Sequence, residues 1–481
     1  DEMSEKHNFS AVMAIPEFNL LDCRSTAGEK LITNLPGDSI KLWLEARANA
    51  QTAMDEQNID QLFIHARKMI DIDSTHPLGF EMLADANIAV GKYDEARELL
   101  ELGRDTAIFW RSNSKPRMLQ VVRRTTLQAS AKHNIPVLDI PDVFKQYLGG
   151  KIPGRDMFLD YCHFTALGIQ VAMQPLSELV LELFENDSRN ILSASEIKPD
   201  RKTLEMGHLF AAIHNAHWGQ VYPILKHHCE EAFKASKDVA KIMVYYCDMI
   251  SRSVSNNLTK SLELILGNKI QIARYGHALM HPKDFKNMDL DLMRAMIETL
   301  KENGINIIKF IEELRIKEHS VNGRSIDLLN SLYHATSYDI YQGVHPAFYQ
   351  ARDIYSKFFV ISSDNTAIDL SVSLRVPDTE YQSNKIEFHF NGKKIGEIES
   401  SPGWTNHKLQ IPSEDTIYGI NELMIAWPVP VKVAKKSRES GDILKSFYYV
   451  FGDISHFKAT GVDIDSNEKS RERKAENLVE Q

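Results

Sequence analysis

The chain has 481 residues, more than one hydrophobic core holds, so about two to four domains are expected. Hydrophobic residues make up 43% and charged residues 25%, the balance of a soluble globular protein. A net charge of −10 supplies no basic field, which argues against a nucleic-acid partner or an anionic membrane coat. The four cysteines, Cys23, Cys162, Cys229 and Cys247, are widely spaced with no C-x-x-C pair. That pattern fits neither a disulfide framework nor a structural zinc site and reads as free thiols in a reducing, cytoplasmic compartment. No apolar run approaches the ~20 residues of a membrane span, and no leader pattern opens the chain.

Phe9 to Ile15 is a short apolar run stopped by Pro16, the signature of a buried strand in a parallel sheet. Because the chain begins on Asp1 and reaches this run at once, it is expected to be part of a longer protein. From Trp43 to about Thr106 the pattern is helical and repeats, with Asn58-Ile-Asp60 and Lys92-Tyr-Asp94 spaced 34 residues apart. The segment Leu83 to Ala96 resembles a tetratricopeptide repeat, with Ala84 and Ala96 at helix contacts and Gly91 at the turn. Two repeats are fewer than a free-standing solenoid needs, so 43–114 is expected to be an insertion leaning on its host, with a protein partner as one use of its surface. A helical pattern over 118–132 leads into a second apolar strand, Ile135 to Ile140.

Residues 168–187 and 203–345 read as helices broken at Pro199, Pro223, Gly267, Pro282 and Gly304. The period then changes to two: Ile368, Leu370, Val372, Leu374 and Val376 alternate with polar residues. Lys385 to Phe390, Asn391-Gly392 and Lys393 to Ile398 predict a type I′ hairpin. Strands near 404–411, 421–427 and 446–451 complete an antiparallel β-sandwich, and a charged tail follows Asp463.

The chemistry concentrates between Ile135 and Phe184. A strand and a loop lead to Asp160-Tyr-Cys-His163-Phe-Thr-Ala-Leu-Gly168 and a closing helix. This ending resembles that of the SGNH (GDSL-like) hydrolase superfamily, along about fifty residues. The resemblance implies His163 as general base, Asp160 as the carboxylate that orients it, and Asn19, after the first strand, as an oxyanion donor. A His–carboxylate pair suits that role because the carboxylate fixes the tautomer and stabilises the imidazolium. Asn19 sits in Glu-Phe-Asn-Leu where the family has G-x-N-D, so a turn role after Pro16 stands beside the oxyanion role. Asp160 as cap of the following helix is the plain alternative for the D-x-x-H motif. The tetrapeptide also occurs at Asp73/His76 and Asp453/His456, where no strand–loop–helix context supports it.

The nucleophilic serine is expected upstream of this chain. Gly37-Asp38-Ser39 follows Asn19 in a Pro-Gly turn, so Ser39 is a weak candidate. His214 and His217 share a helix face, and they, His227-His228 and His277/His281 are read as packing, with no metal and no cofactor expected. Trp404, Trp427, Tyr448 and Tyr449 read as sandwich core or a sugar platform.

The expected fold is multidomain α/β plus α plus β. A flavodoxin-like SGNH layer spans 1–42 and 115–188, and the tetratricopeptide-like insertion spans 43–114. An all-helical domain covers 200–350, a jelly-roll or carbohydrate-binding-like β-sandwich 355–460, and a flexible tail 463–481. The expected function is a serine ester hydrolase or O-acyltransferase acting on an acylated small molecule, carbohydrate, or peptide or carrier protein. The alternative is a non-catalytic scaffold with helical repeats and a ligand-binding sandwich.

Overall fold

The computed structural model describes residues 6–7, 10–107, 118–183, 198–253, 289–334, 348–363, 365–431 and 448–462. The chain forms two compact units: 1–30, 43–215 and 230–236 in the first, and 31–42, 216–229 and 237–481 in the second. Residues 31–42, expected with the α/β layer, belong to the second unit.

In the first unit, β1 (Met13–Ile15) pairs in parallel with β2 (Val137–Asp139), with Ala14 opposite Leu138 across more than a hundred residues of intervening chain. Where a flavodoxin-like layer was expected, the described residues form a sheet of two short strands. They are also less buried than their composition suggests: Met13 and Ala14 are exposed, and only Ile15 of β1 is buried. Helix α1 (Ser39–Asp55) leads into three further helices, α2 (Ile59–Ile72), α3 (Pro77–Ala89) and α4 (Tyr93–Ala107), with α2 packing on α3 and α3 on α4. Asn58 caps α2 by accepting from the Gln61 N–H, and His76 caps α3 with Pro77 in its first turn. Ala84 and Ala96 are fully buried beside Leu20, Leu100 and Ile152, so the helix seam closes against the loop after β1. Gly91 takes φ +76° at the turn, and a Cβ there would touch nothing, so it serves the turn and not the contact.

Around the strands pack α5 (Gln120–Lys132), α6 (Ile140–Tyr147) and α7 (Ala166–Glu182). Their core joins Ile140, Phe144, Met157, Phe158 and Ala172, with the Phe144, Phe158 and Phe164 rings 5.1–5.8 Å apart. Helix α8 (Arg201–His217) contributes to this unit as far as Asn215.

In the second unit, α10 (Val239–Ile250) packs on α11 (Leu290–Glu302) and α12 (Ile308–His319), after α9 (Tyr222–Ala235) has carried the chain through both units. The stretch 200–350 is not all-helical. β3 (Ser325–Asp327) pairs with β11 (Gly452–Val462), and β4 (Tyr349–Ala351) joins the same strand. Two antiparallel sheets form a β-sandwich-like layer pair. One has the order β5 (Tyr355–Ser362), β10 (Gly419–Ala426), β7 (Lys385–Phe390) and β8 (Lys393–Glu399). The other runs β3, β11, β6 (Ala367–Arg375) and β9 (Thr405–Ile411). Phe358 and Phe457 meet edge-to-face at 5.2 Å between the layers. Asn391 and Gly392 both have positive φ, 49° and 80°, the type I′ geometry that the dipeptide favours. The last strand among the described residues is Gly452–Val462, later than the expected 446–451. No described helix is long and apolar enough to cross a membrane. The charged tail, His277 and His281 lie outside the described residues.

Candidate functional site

The segment Met157–Thr165 doubles back on itself. Leu159 N–H donates to the His163 carbonyl at 2.7 Å, Thr165 N–H to the Met157 carbonyl at 2.9 Å, and Phe158 and Phe164 form a β-bridge. The two Phe side chains anchor the loop in the core and leave Asp160, Tyr161, Cys162 and His163 at its tip. Thr165, not Asp160, caps the helix that follows: its Oγ1 accepts from Gly168 N–H and donates to the Asp156 carbonyl. That finding removes the helix-cap alternative for Asp160.

Asp160 instead organises the tip. Its Oδ1 accepts from the Cys162 and His163 backbone N–H groups at 2.9 and 2.8 Å, and its Oδ2 lies 2.7 Å from His163 Nδ1. The Asp160 side chain is 7% exposed, whereas the His163 side chain is 67% exposed. A buried acceptor on Nδ1 makes that nitrogen the N–H donor and leaves Nε2 with its lone pair, the arrangement of a general base.

Asn19 comes to the same place. Its backbone N–H donates to the Tyr161 carbonyl at 3.0 Å. Two neighbouring ties lock the loop after β1 to this hairpin: Leu21 N–H to the Pro153 carbonyl, and Asp22 clasped by the Arg155 guanidinium and backbone N–H. Asn19 Oδ1 accepts from Asp22 N–H, so the turn role is real. Its Nδ2 makes no hydrogen bond to a described residue, although the residue is only 4% exposed. Asn19 lines a pocket of about 400 Å³, open solvent included, shared with Phe18, Cys23, Arg24, Arg104 and Tyr161.

Helix α8 buttresses the hairpin from behind, and sequence reasoning missed this. Asn215 Nδ2 donates to the Leu159 carbonyl at 2.9 Å. His214, read from sequence as packing, stacks on Tyr161 at 6.2 Å and places Nε2 3.6 Å from Asp160 Oδ2. His217 has a different partner, Asp289, at 3.5 Å, so the two imidazoles do not act as one pair. No metal was expected, yet donor atoms of Asp160, Cys162 and His163 all lie within 4.8 Å of one another. Burial and the Asp160 charge push the Cys162 thiol up, which disfavours a thiolate nucleophile there.

The remaining candidates have structural explanations. Ser39 opens α1 after a turn at Gly37, with no strand before it, and falls in the second unit. Asp73 ends α2, accepting from Thr75, while His76 is 1% exposed and bonds the Lys30 carbonyl. Asp453 pairs with Arg375, and His456 meets Ser371 on the neighbouring strand. Trp427 and Tyr449 are core; Trp404 is 41% exposed, with the Arg375 guanidinium 4.5 Å from its ring.

No family model and no curated protein matches the chain. Among solved structures, a Podospora anserina GH26-CBM35 β-(1,4)-mannanase is 11% identical over 25% of this chain and 22% of its own, with a TM-score of 0.17. A family 35 carbohydrate-binding module from Clostridium thermocellum is 10% identical over 22% of this chain and 70% of its own, with a TM-score of 0.15. The chain thus spans about a fifth of the mannanase's length. Neither likeness says what this chain binds or does.

Proposed function

We propose that the first unit carries an SGNH-type ester hydrolase or O-acyltransferase centre, with His163 as general base, Asp160 as its orienting carboxylate and Asn19 as oxyanion donor. The observation that carries this reading is the convergence of Asn19 with the Asp160–His163 pair, more than 140 positions further along the chain. The buried Asp160 carboxylate holds His163 Nδ1 at 2.7 Å, and Asn19 is tied by its own backbone to the residue between them in sequence. In such a centre His163 Nε2 takes the proton of a serine hydroxyl as it attacks the ester carbonyl, and returns it to the leaving alcohol. The Asn19 Nδ2–H group donates to the oxyanion, a contribution of ~3 kcal/mol to the transition state. The acyl group then passes to water or to another hydroxyl.

A fluorophosphonate probe on the full-length protein tests this, with peptide mapping to find the labelled serine. Labelling should fall by about 10³-fold or more in His163→Ala and strongly in Asp160→Asn, whose amide no longer favours the imidazolium. Labelling indifferent to His163 refutes the reading.

A second reading, glycan binding by the sandwich, rests on the half-exposed Trp404 ring framed by Arg375 and Phe348. A soluble glycan that binds should raise the melting temperature, and Trp404→Ala should abolish the shift. If no member of a broad glycan panel shifts it, this second reading fails.

A further inference from the structure

We propose that the tip of the Asp160 hairpin is also a binding site for a thiophilic divalent cation of the zinc type, held by Asp160, Cys162, His163 and His214. Three of these donors already lie within 4.8 Å of one another, and the fourth approaches from α8. The set is one carboxylate, one thiolate and two imidazoles, the ligand types that zinc takes in tetrahedral sites.

The distances suit that geometry. With Zn–S about 2.3 Å and Zn–N about 2.0–2.1 Å, adjacent ligands of a tetrahedron stand about 3.3–3.6 Å apart. Cys162 Sγ lies 3.8 Å from His163 Nδ1, and His214 Nε2 lies 3.6 Å from Asp160 Oδ2. The 2.7 Å edge between His163 Nδ1 and Asp160 Oδ2 is shorter than a tetrahedron allows, because a hydrogen bond now spans it. A cation entering there takes Nδ1 as the imidazole proton shifts to Nε2, the Cys162 thiol proton is released to solvent, and the edge opens by about 0.6 Å to the tetrahedral value. The hairpin is anchored by Phe158 and Phe164 below the tip, so side-chain rotation supplies the adjustment. Cys23, the other thiol of this region, points elsewhere, its Sγ 4.0 Å from Asn215 Oδ1.

Cation binding and general-base catalysis then exclude each other, since both use His163 Nδ1 and Asp160 Oδ2. This inhibitory consequence rests on the hydrolase reading; the binding itself does not.

The test titrates metal-free full chain with Co²⁺, then displaces it with Zn²⁺. One equivalent should give intense tetrahedral d–d bands and a thiolate-to-cobalt charge-transfer band. Cys162→Ser should remove the charge-transfer band, Cys23→Ser should keep it, and His214→Ala should weaken affinity by about 10–100-fold or more. Circular dichroism of each variant establishes that it is folded, and His214→Ala, on a half-exposed helix face, serves if Cys162→Ser is not. No charge-transfer band in the wild type, or one that survives Cys162→Ser, overturns the site. Zn²⁺ should also slow fluorophosphonate labelling. A full-length protein that stays unlabelled yet still gives the Cys162-dependent band sinks the hydrolase reading and leaves the metal site standing.

Discussion

Gly168, three residues into the motif's closing turn, should not tolerate a methyl group. A Cβ built there would stand 2.2 Å from the Met157 carbonyl oxygen, 3.1 Å from Phe164 Cβ and 3.2 Å from the Met157 carbonyl carbon. The first contact is with backbone, and that same carbonyl accepts the Thr165 N–H bond that closes the hairpin. Relief therefore requires α7 and the Asp160 loop to part. Overpacking of this kind costs ~1–3 kcal/mol, and losing the Thr165 bond adds ~1, so Gly168→Ala should destabilise by about 2–4 kcal/mol. Gly207 on α8 is the control: its nearest neighbour would be Leu159 Cδ1 at 4.0 Å, ordinary contact, and alanine favours a helix by ~0.8–1 kcal/mol over glycine. Hydrogen exchange of peptides covering 157–172 measures both. Gly168→Ala should lose protection there while Gly207→Ala keeps or gains it. Protection in Gly168→Ala within ~0.5 kcal/mol of wild type would refute the account of how this turn is built.

Acid should weaken both units through buried neutral histidines. Burial lowers His76 and His334 to about 4, so between that value and the unfolded 6.5 only the unfolded chain takes the proton, and stability falls as pH drops through this window. From pH 7.5 to 5 the loss is about 2 kcal/mol per residue, read by urea unfolding, and His76→Asn, which keeps a capping side chain, should lose less; an equal loss removes His76 as a cause. Gly392→Ala should cost about 1–2 kcal/mol, because its φ of +80° at the β7–β8 turn is one that L side chains resist; an unchanged melting temperature of the sandwich contradicts the turn type.

What was legible in the sequence is local. Ile135–Ile140 and the run before Pro16 announce strands by composition, the alternation from Ile368 to Val376 announces β6, and Asn391-Gly392 announces its hairpin. The Asp160/His163 motif stood out from its two copies only by the loop and helix around it. What was not legible depends on distant chain. β3 is three residues long and exists because β11 pairs with it, and β11 itself is interrupted by a register shift between Ile454 and His456 that breaks its alternation. His214 and Asn215 reach the Asp160 hairpin from fifty residues away, at a spacing that carries no motif. The unit boundaries left no trace either. Three of the five crossings between the units fall inside α1, α8 and α9, where helix continuity forbids the Pro- and Gly-rich linkers that mark a boundary.

The loop that carries Asn19 depends on a charge from the helical insertion, and this dependence has a signed test. Glu17, 2% exposed, meets Arg97 of α4 at 2.5 Å, and Arg97 continues to Glu101 at 3.1 Å. Burial raises the Glu17 carboxyl above its ordinary range despite the opposing pull of Arg97, so the ion pair is what keeps desolvation from dominating further. Arg97→Met removes the cation and leaves the carboxylate buried, at a cost of about 3–5 kcal/mol near neutral pH. The folded variant should then prefer a protonated Glu17. A carboxyl raised in the folded state stabilises most below its unfolded value and loses that contribution as pH rises through the folded one. The variant's deficit against the wild type should therefore shrink as pH falls from 8 toward 5, opposite in sign to the histidine effect that both proteins share. Glu17→Gln on the Arg97→Met background removes the buried charge and should restore most of the loss at pH 8. An Arg97→Met protein whose deficit is the same at pH 8 and pH 5, and which Glu17→Gln does not rescue, would show that the insertion holds the Asn19 loop by packing of Ala84, Ala96 and Leu100 alone.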